Sequence, residues 1–403
     1  MKKMVAGVLV GLMGIGSVWA AGNLPAGSVK AEAADLHSST TQNQRGVSAV
    51  VVAAARANAS QAEKQAYDLT YKLFLTRTKD SNMVFSPYCF QQILPLIRDN
   101  TDQESTRKEL LSYIVPGIRV EKLRNTKTGE LILLNKELAK TYTGTADGDL
   151  KIVSYPDQAL QAKKDFQVKI LDSVIDEGVP QGDLNFLTAA HYFAEWATKF
   201  DKKQTQPRDF TTESGKVEKV VTMQQRFPEG RGASTDAYDL AAVWGKKGSV
   251  VYFIKPKKDT VAVAADLTQI VQDFEAGKSG SFRNLDLQVP KLSIKNKLDL
   301  KDILKNGMGI SSFFTGLTFD KITGKVPYVL ATASQTATLD INEDYAEGKA
   351  ITEIGFRVTS AMEPEMVHEI KMDSPYFIVI KDLADSGLRR TVFTAFVADP
   401  KKK

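Results

Sequence analysis

The 403-residue chain has one cysteine, Cys89, so an internal disulfide is impossible. Histidine is almost as scarce, with His37, His191 and His368 the three present. Nucleophilic catalysis of the Ser-His-Asp or Cys-His kind needs a histidine held beside a nucleophile on a packed scaffold. Here His37 lies in a low-complexity stretch, His191 in an apolar strand-like run and His368 in a long irregular segment, so an enzyme is not expected. Two scaffold-placed histidines and an unpartnered cysteine make no zinc site, and neither metal nor cofactor is expected. There is no glycine-rich phosphate loop after a strand; Gly307-Met308-Gly309 reads as a helix ending. Net charge is small, at +5, and evenly spread, which argues against nucleic acid or a membrane surface as partner.

Long apolar runs are missing too. Met1-Lys2-Lys3 precedes an uncharged stretch from Met4 to Trp19, closed by Ala20-Ala21. That stretch falls short of the roughly 20 apolar residues of a membrane span, and its basic start and small-residue end read as a secretory signal peptide. Residues 1–20 are therefore expected to be removed, leaving a secreted or periplasmic protein with a formal charge of +3. Residues 21–59, rich in Ala, Ser, Thr and Gln, read as a flexible leader. A disulfide-free exported protein of this length must rest on a large ordinary core.

What is present begins at Ser60-Gln61-Ala62-Glu63, which has capping-box spacing. Ala62, Ala66, Leu69 and Leu73 follow at helical intervals. Thr101-Asp102-Gln103-Glu104 is a second such box, opening a helix through Arg107, Leu110, Leu111 and Ile114. Phe166 to Leu171 alternates and reads as one strand, Asn185 to Phe193 as the next. Near the C-terminus, Leu339-Asp340-Ile341-Asn342 alternates as a strand, and Tyr376 to Ile380 is an apolar run. Between them lie about thirty residues with no sustained period, a length that inside a domain marks a functional loop or an insert.

Asn82-Met83-Val84-Phe85-Ser86-Pro87 after an amphipathic helix, then Thr106-x-x-Glu109-Leu110, resembles the N-terminal signature of the serpins. The later matches run in the same order. Asn185 to Trp196, followed by Phe200-Asp201, Thr205 and Phe210, is similar to the family's tryptophan-ended strand and its Phe…Thr…Phe segment. Val217 to Gln225, Val251 to Pro256, Val289-Pro290-Lys291-Leu292, and Leu298 to Phe314 resemble successive family segments. Ser374 to Ile380 and Thr391 to Pro400 resemble its closing strand pair. The resemblance implies an α+β fold over residues 60–400, a single domain with large mixed and antiparallel sheets, N-terminal helices and an exposed reactive loop at about 343–372. The helix that the family lays across its main sheet is expected to be missing here, with too few residues between Lys169 and Leu184 and a shortened helix around Gln158 to Lys164.

The resemblance also implies a function. A target protease attacks one bond of the loop, and the cut loop enters the main sheet as a strand. The expected partner is a serine or cysteine protease, and the inhibitor a monomer. The hinge maps to Glu343, Asp344, Tyr345, Ala346, Glu347, Gly348, Lys349 and Ala350, with Tyr345 and Lys349 departing from the family's glycine and alanine. A bulky Tyr345 at the pivot is expected to slow the swing. Counting residues places the scissile bond within Arg357 to Met362, with Thr359-Ser360 the family spacing. If alternate residues from Ala346 face inward, that set is Ala346, Gly348, Ala350, Thr352 and Ile354, all small or apolar. The polar cluster beneath the family's sheet opening maps to Ser86, Cys89, Thr188 and Gln335; only Ser86 keeps the family residue, so a loosened sheet is expected. Trp196 maps to the top of the opening. The competing reading is a serpin-fold binding or structural protein with a passive loop.

Overall fold

A computed structural model describes residues 60–346 and 366–402. The elements in order are α1 (60–76), β1 (Met83–Phe85), α2 (Pro87–Asp99), α3 (Glu104–Leu111), β2 (Thr126–Asn135), β3 (Leu150–Val153), α4 (Asp157–Leu171), β4 (Leu184–Tyr192) and β5 (Ala194–Glu195). Then come β6 (Gln206–Thr211), β7 (Val217–Phe227), β8 (Arg231–Ser234), β9 (Tyr238–Trp244), β10 (Val250–Pro256), α5 (Thr260–Ala265), α6 (Leu267–Glu275), β11 (Leu285–Pro290) and β12 (Leu292–Asp299). The remainder is α7 (Ser312–Thr315), β13 (Leu317–Thr318), β14 (Pro327–Tyr328), β15 (Ser334–Ile341), β16 (Tyr345–Ala346), β17 (His368–Lys371), β18 (Tyr376–Leu383) and β19 (Arg389–Val397). The signal peptide and leader expected at residues 1–59 lie outside the described residues. No described helix is long and apolar enough to cross a membrane.

The foundation is a six-stranded sheet in the order β1-β19-β18-β10-β9-β8, antiparallel throughout. Its central strand β18 is buried along nearly its whole length, which is why its sequence is a continuous apolar run rather than an alternation. Alternate residues of β18 serve two cores. Phe377 and Val379 pack with Leu69, Leu73, Leu94 and Phe274 from the helices, whereas Tyr376, Ile378 and Ile380 pack with Trp196, Phe210 and Leu287 on the other side. Within this core Lys381, 2% exposed, sits between Glu63 of α1 at 2.6 Å and Glu275 of α6 at 2.8 Å. Glu63 therefore does not close a capping box. Nor does Thr101, whose hydroxyl accepts from Gln103 N, the N-cap of an α3 that starts at Glu104.

Two smaller sheets stand on this foundation: β3-β2-β4, and the antiparallel pair β12-β15. Across the outer face of the first lies α4. This overturns three expectations, because Phe166 to Leu171 is helix rather than strand, the covering helix is present, and Gln158 to Lys164 belong to its 15 residues rather than to a shortened helix before it. Ala159, Ala162, Phe166 and Ile170 form its buried stripe against Leu131 and Leu133 of β2 and Leu187 and Ala189 of β4. The close approach needs Gly129: a Cβ there would stand 2.6 Å from Ile170 Cδ1 and 3.2 Å from Phe166 Cε2.

The connector 172–183 returns along α4 to the foot of β4. Gln167, 5% exposed, holds it: its Oε1 accepts from Ile175 N (3.0 Å) and Asp176 N (2.8 Å), and its Nε2 donates to Asp176 O (2.8 Å). Lys163 donates to Gly178 O at 2.7 Å and pairs with Asp176 at 2.9 Å. Burial alone would raise the Asp176 carboxyl, but the Lys163 bond, the Gly178 N–H and Lys297 outweigh it and hold the group at about 2.

Gly129→Val should push α4 off its sheet and lower stability by about 1–3 kcal/mol, read as a fall in Tm, with new proteolytic nicking in 172–183. Because Asp176 binds protons less readily folded than unfolded, its contribution is present above the ordinary aspartate value and is lost as pH falls through about 2. The Tm gap between wild type and Asp176→Asn, corresponding to about 1 kcal/mol at neutral pH after screening, should close between about pH 4 and pH 2.

Candidate functional site

Strand β4 pairs with β2 on one edge, and β15 pairs with β12 on one edge. Among the described residues no strand pairs with their other edges, and these two edges face each other across a cleft of about 1540 Å³. Its walls are β4 and the segment 329–340. Its floor includes Phe90, Ile93 and Ile97 of α2, and its roof Phe166 and Gln167 of α4 with the connector. At the foot the lining turns aromatic, with Phe186 and Phe319 rings 4.8 Å apart and Tyr328 beyond at 5.6 Å.

The floor is tied to both walls by the four cluster positions. Ser86 N donates to Gln335 Oε1 at 2.6 Å and Gln335 Nε2 returns a bond to Ser86 O at 3.0 Å, joining the start of α2 to β15. Ser86 Oγ caps α2 at Cys89 N and donates to Val392 O. Thr188 Oγ1 donates to Cys89 O at 2.9 Å, and Cys89 Sγ lies 3.3 Å from Thr188 O, joining α2 to β4. Burial pushes the Cys89 thiol up to about 11, which keeps it a neutral packing and hydrogen-bonding group. The altered residue types thus build a connected network, and the loosening expected from their identities has no counterpart in these bonds.

The head of the cleft is closed by a turn. Asn342 Oδ1 accepts from Asp344 N and Tyr345 N, and Asn342 N donates to Tyr345 O, so the chain reverses directly after β15. Tyr345 then pairs with Glu195 and Ala346 with Ala194, a short antiparallel strand on the extension of β4. Trp196 Nε1 donates to Asn342 O at 2.8 Å, and Phe200 N donates to Glu343 O. The Tyr345 ring lies 5.8 Å from that of Phe193. Lys202 and Lys199 hold the Asp344 carboxyl below its ordinary range. Burial would raise the Glu343 carboxyl, but its bond to Lys291 outweighs that effect and lowers it.

The structure therefore brings Glu343, Asp344, Tyr345 and Trp196 together at the head, and Ser86, Cys89, Thr188 and Gln335 beneath the middle. The described part of Ala346 is its backbone; Glu347, Gly348, Lys349, Ala350, Arg357, Thr359, Ser360 and Met362 lie outside the described residues. The loop's far end returns at His368, which pairs with Leu285 and stacks on Phe282 at 4.0 Å. His191 points instead to Asp172, at 3.4 Å. Sequence reasoning missed Asn342 as the turn cap and Lys199 and Lys202 as its anchors; an Asn two residues before a break in alternation is the signal that was available.

A family model described as "Serpin (serine protease inhibitor)" matches residues 161–400. Serpin A3-3 of Bos taurus is 28% identical over 182 residues, 45% of this chain and 44% of that protein, so the chain spans under half the length of this relative. Antitrypsin of Bombyx mori is 24% identical over 340 residues, covering 75% of this chain and 86% of that protein. In fold, the chain is similar to human glycosylated kallistatin, with a TM-score of 0.70 at 19% identity over 86% of this chain and 98% of that one. It is also similar to thyroxine-binding globulin in complex with thyroxine, at 0.67 and 18% over 86% and 100%. With more than half of its residues matched by the family model, the chain belongs to the serpin family of serine protease inhibitors.

Proposed function

We propose that this protein inhibits a serine or cysteine protease by strand insertion. The protease nucleophile attacks a carbonyl within Arg357 to Met362, the peptide bond breaks, and the acyl-enzyme forms. The freed chain from Ala346 onward then enters the cleft and carries the protease with it. The observation that carries this reading is the turn at Asn342–Tyr345, which starts a strand at the head of a cleft flanked by two unpaired edges. An added strand completes hydrogen bonds on both sides, and that gain drives the insertion.

The register supports the same reading. Continued down β4, the pairs Tyr345–Glu195 and Ala346–Ala194 set Gly348 opposite Tyr192, Ala350 opposite Ala190 and Thr352 opposite Thr188. Directly opposed residues share a face. Thr188 bonds to α2, and Phe186 and Tyr192 pack into the core, so Ala346, Gly348, Ala350, Thr352 and Ile354 enter the interior. Glu347, Lys349, Ile351 and Glu353 take the side of α4. Export through residues 1–20 puts the monomeric inhibitor outside the cell or in the periplasm, where it meets its protease.

A second reading, a serpin-fold binding protein with a passive loop, is favoured by the ionic anchors at Glu343 and Asp344, which tie the hinge to the frame. Mixing the protein with trypsin-, elastase-, subtilisin- and papain-like proteases should yield a complex that survives boiling in detergent, and nicking the loop should raise Tm sharply. Simple nicking by every protease, with an unchanged Tm, would establish the passive loop. Thr352→Arg, which places a charge on the inward face above Thr188, should abolish the Tm rise and turn the inhibitor into a substrate.

A further inference from the structure

The connector 172–183 does more than return the chain to β4. It forms part of the cleft's roof, and Asp176 at its centre faces lysines from both sides of the cleft. Lys163 belongs to α4, which rides on β2 and β4; Lys297 belongs to β12, beyond β15 on the far wall. The Asp176–Lys297 pair, at 3.4 Å, therefore spans the outer face of the cleft from one sheet to the other. Asp176 is 19% exposed and Lys297 52% exposed, so the contact is open to salt. The connector is fastened firmly to α4 by Gln167 and Lys163, and an ion pair ties it to the far side through Lys297.

We infer that Asp176 and Lys297 form an ionic strap across the cleft that sets the rate at which a strand enters between β4 and β15. This rests on the proposed insertion of the loop. A strand passing between the walls widens them and moves under the connector, so the 3.4 Å contact must open before the new ladder closes. Rupture costs the pair's interaction once, in the barrier, and the inserted state has its own hydrogen bonds in exchange. The strap thus slows entry without weakening the final product, and it makes entry faster as ionic strength rises.

The test uses the full chain and a synthetic peptide with the sequence of residues 346–357, whose uptake is followed as a rise in Tm. Lys297→Met removes one half-exposed ion pair and should lower the Tm of the peptide-free protein by no more than about 2 °C. It should take up peptide about 2- to 5-fold faster than wild type, the range of an exposed ion pair. Asp176→Asn, which also weakens the Lys163 contact, should be faster still. Raising NaCl from about 20 to about 500 mM should speed wild type and leave Lys297→Met unaffected. Uptake by wild type and Lys297→Met at equal rates with equal salt slopes overturns the strap and leaves strand insertion standing. Absence of uptake by either protein overturns both.

Discussion

The described residues are arranged around two strand edges, of β4 and β15, for which no described strand completes the pairing. Every second residue of an open edge leaves both its backbone N–H and its C=O seeking partners, and exposed edges invite other chains. Here β4 and β15 are held apart by elements that cannot follow them. The six-stranded sheet and its helices form a rigid foundation, and α2, which rises from it, is bonded to β15 through Ser86–Gln335 and to β4 through Cys89–Thr188. Above, α4 and its connector roof the gap. The two edges therefore lie beneath a roof and above a bonded floor rather than on the open surface.

Charge is distributed to match. In the interior, Lys381 between Glu63 and Glu275 fixes α1 and α6 to β18; with the lysine removed, two carboxyl groups would face each other without a cation, which suits a fixed part of the frame. At the rim, the pairs Asp344–Lys199, Asp344–Lys202, Glu343–Lys291 and Asp176–Lys297 each keep at least one exposed or half-exposed member. Such pairs are weak and screened, which suits contacts that open.

Although the hinge expected beyond Ala346 lies outside the described residues, most strands were legible in the sequence because period-two alternation lies in consecutive residues. The covering helix was not. Phe166-Gln167-Val168-Lys169-Ile170-Leu171 alternates like a strand, yet Val168 is an exposed residue and the buried apolar positions are Ala159, Ala162, Phe166 and Ile170, spaced three, four and four. Two of those four are alanines, too small to stand out in a hydrophobic pattern, and the close packing that permits alanine depends on Gly129 in another element. The bonds of the cluster beneath the cleft were hidden for a related reason. Residue identity differs from the family pattern, but hydrogen-bonding capacity is supplied by Gln335 and Thr188 in a geometry that only the fold discloses.

Tyr345 brings these threads together. Taken as part of a linear motif, an aromatic residue where the family has glycine looks like an obstruction at the pivot. In the fold the reversal is made by Asn342, whose side chain caps the turn, so the chain has already changed direction before Tyr345 pairs with Glu195. Inward positions at the head are Ala194 and Trp196, both buried, with Ala346 opposite Ala194. Tyr345 and Glu195 belong to the other face, and the ring lies against Phe193 there. Its bulk therefore takes no space from the side chains that an entering strand would bury. What the ring adds is an anchor for the first residue pair, and a fixed first pair would set the parity of any later residue of a strand added there.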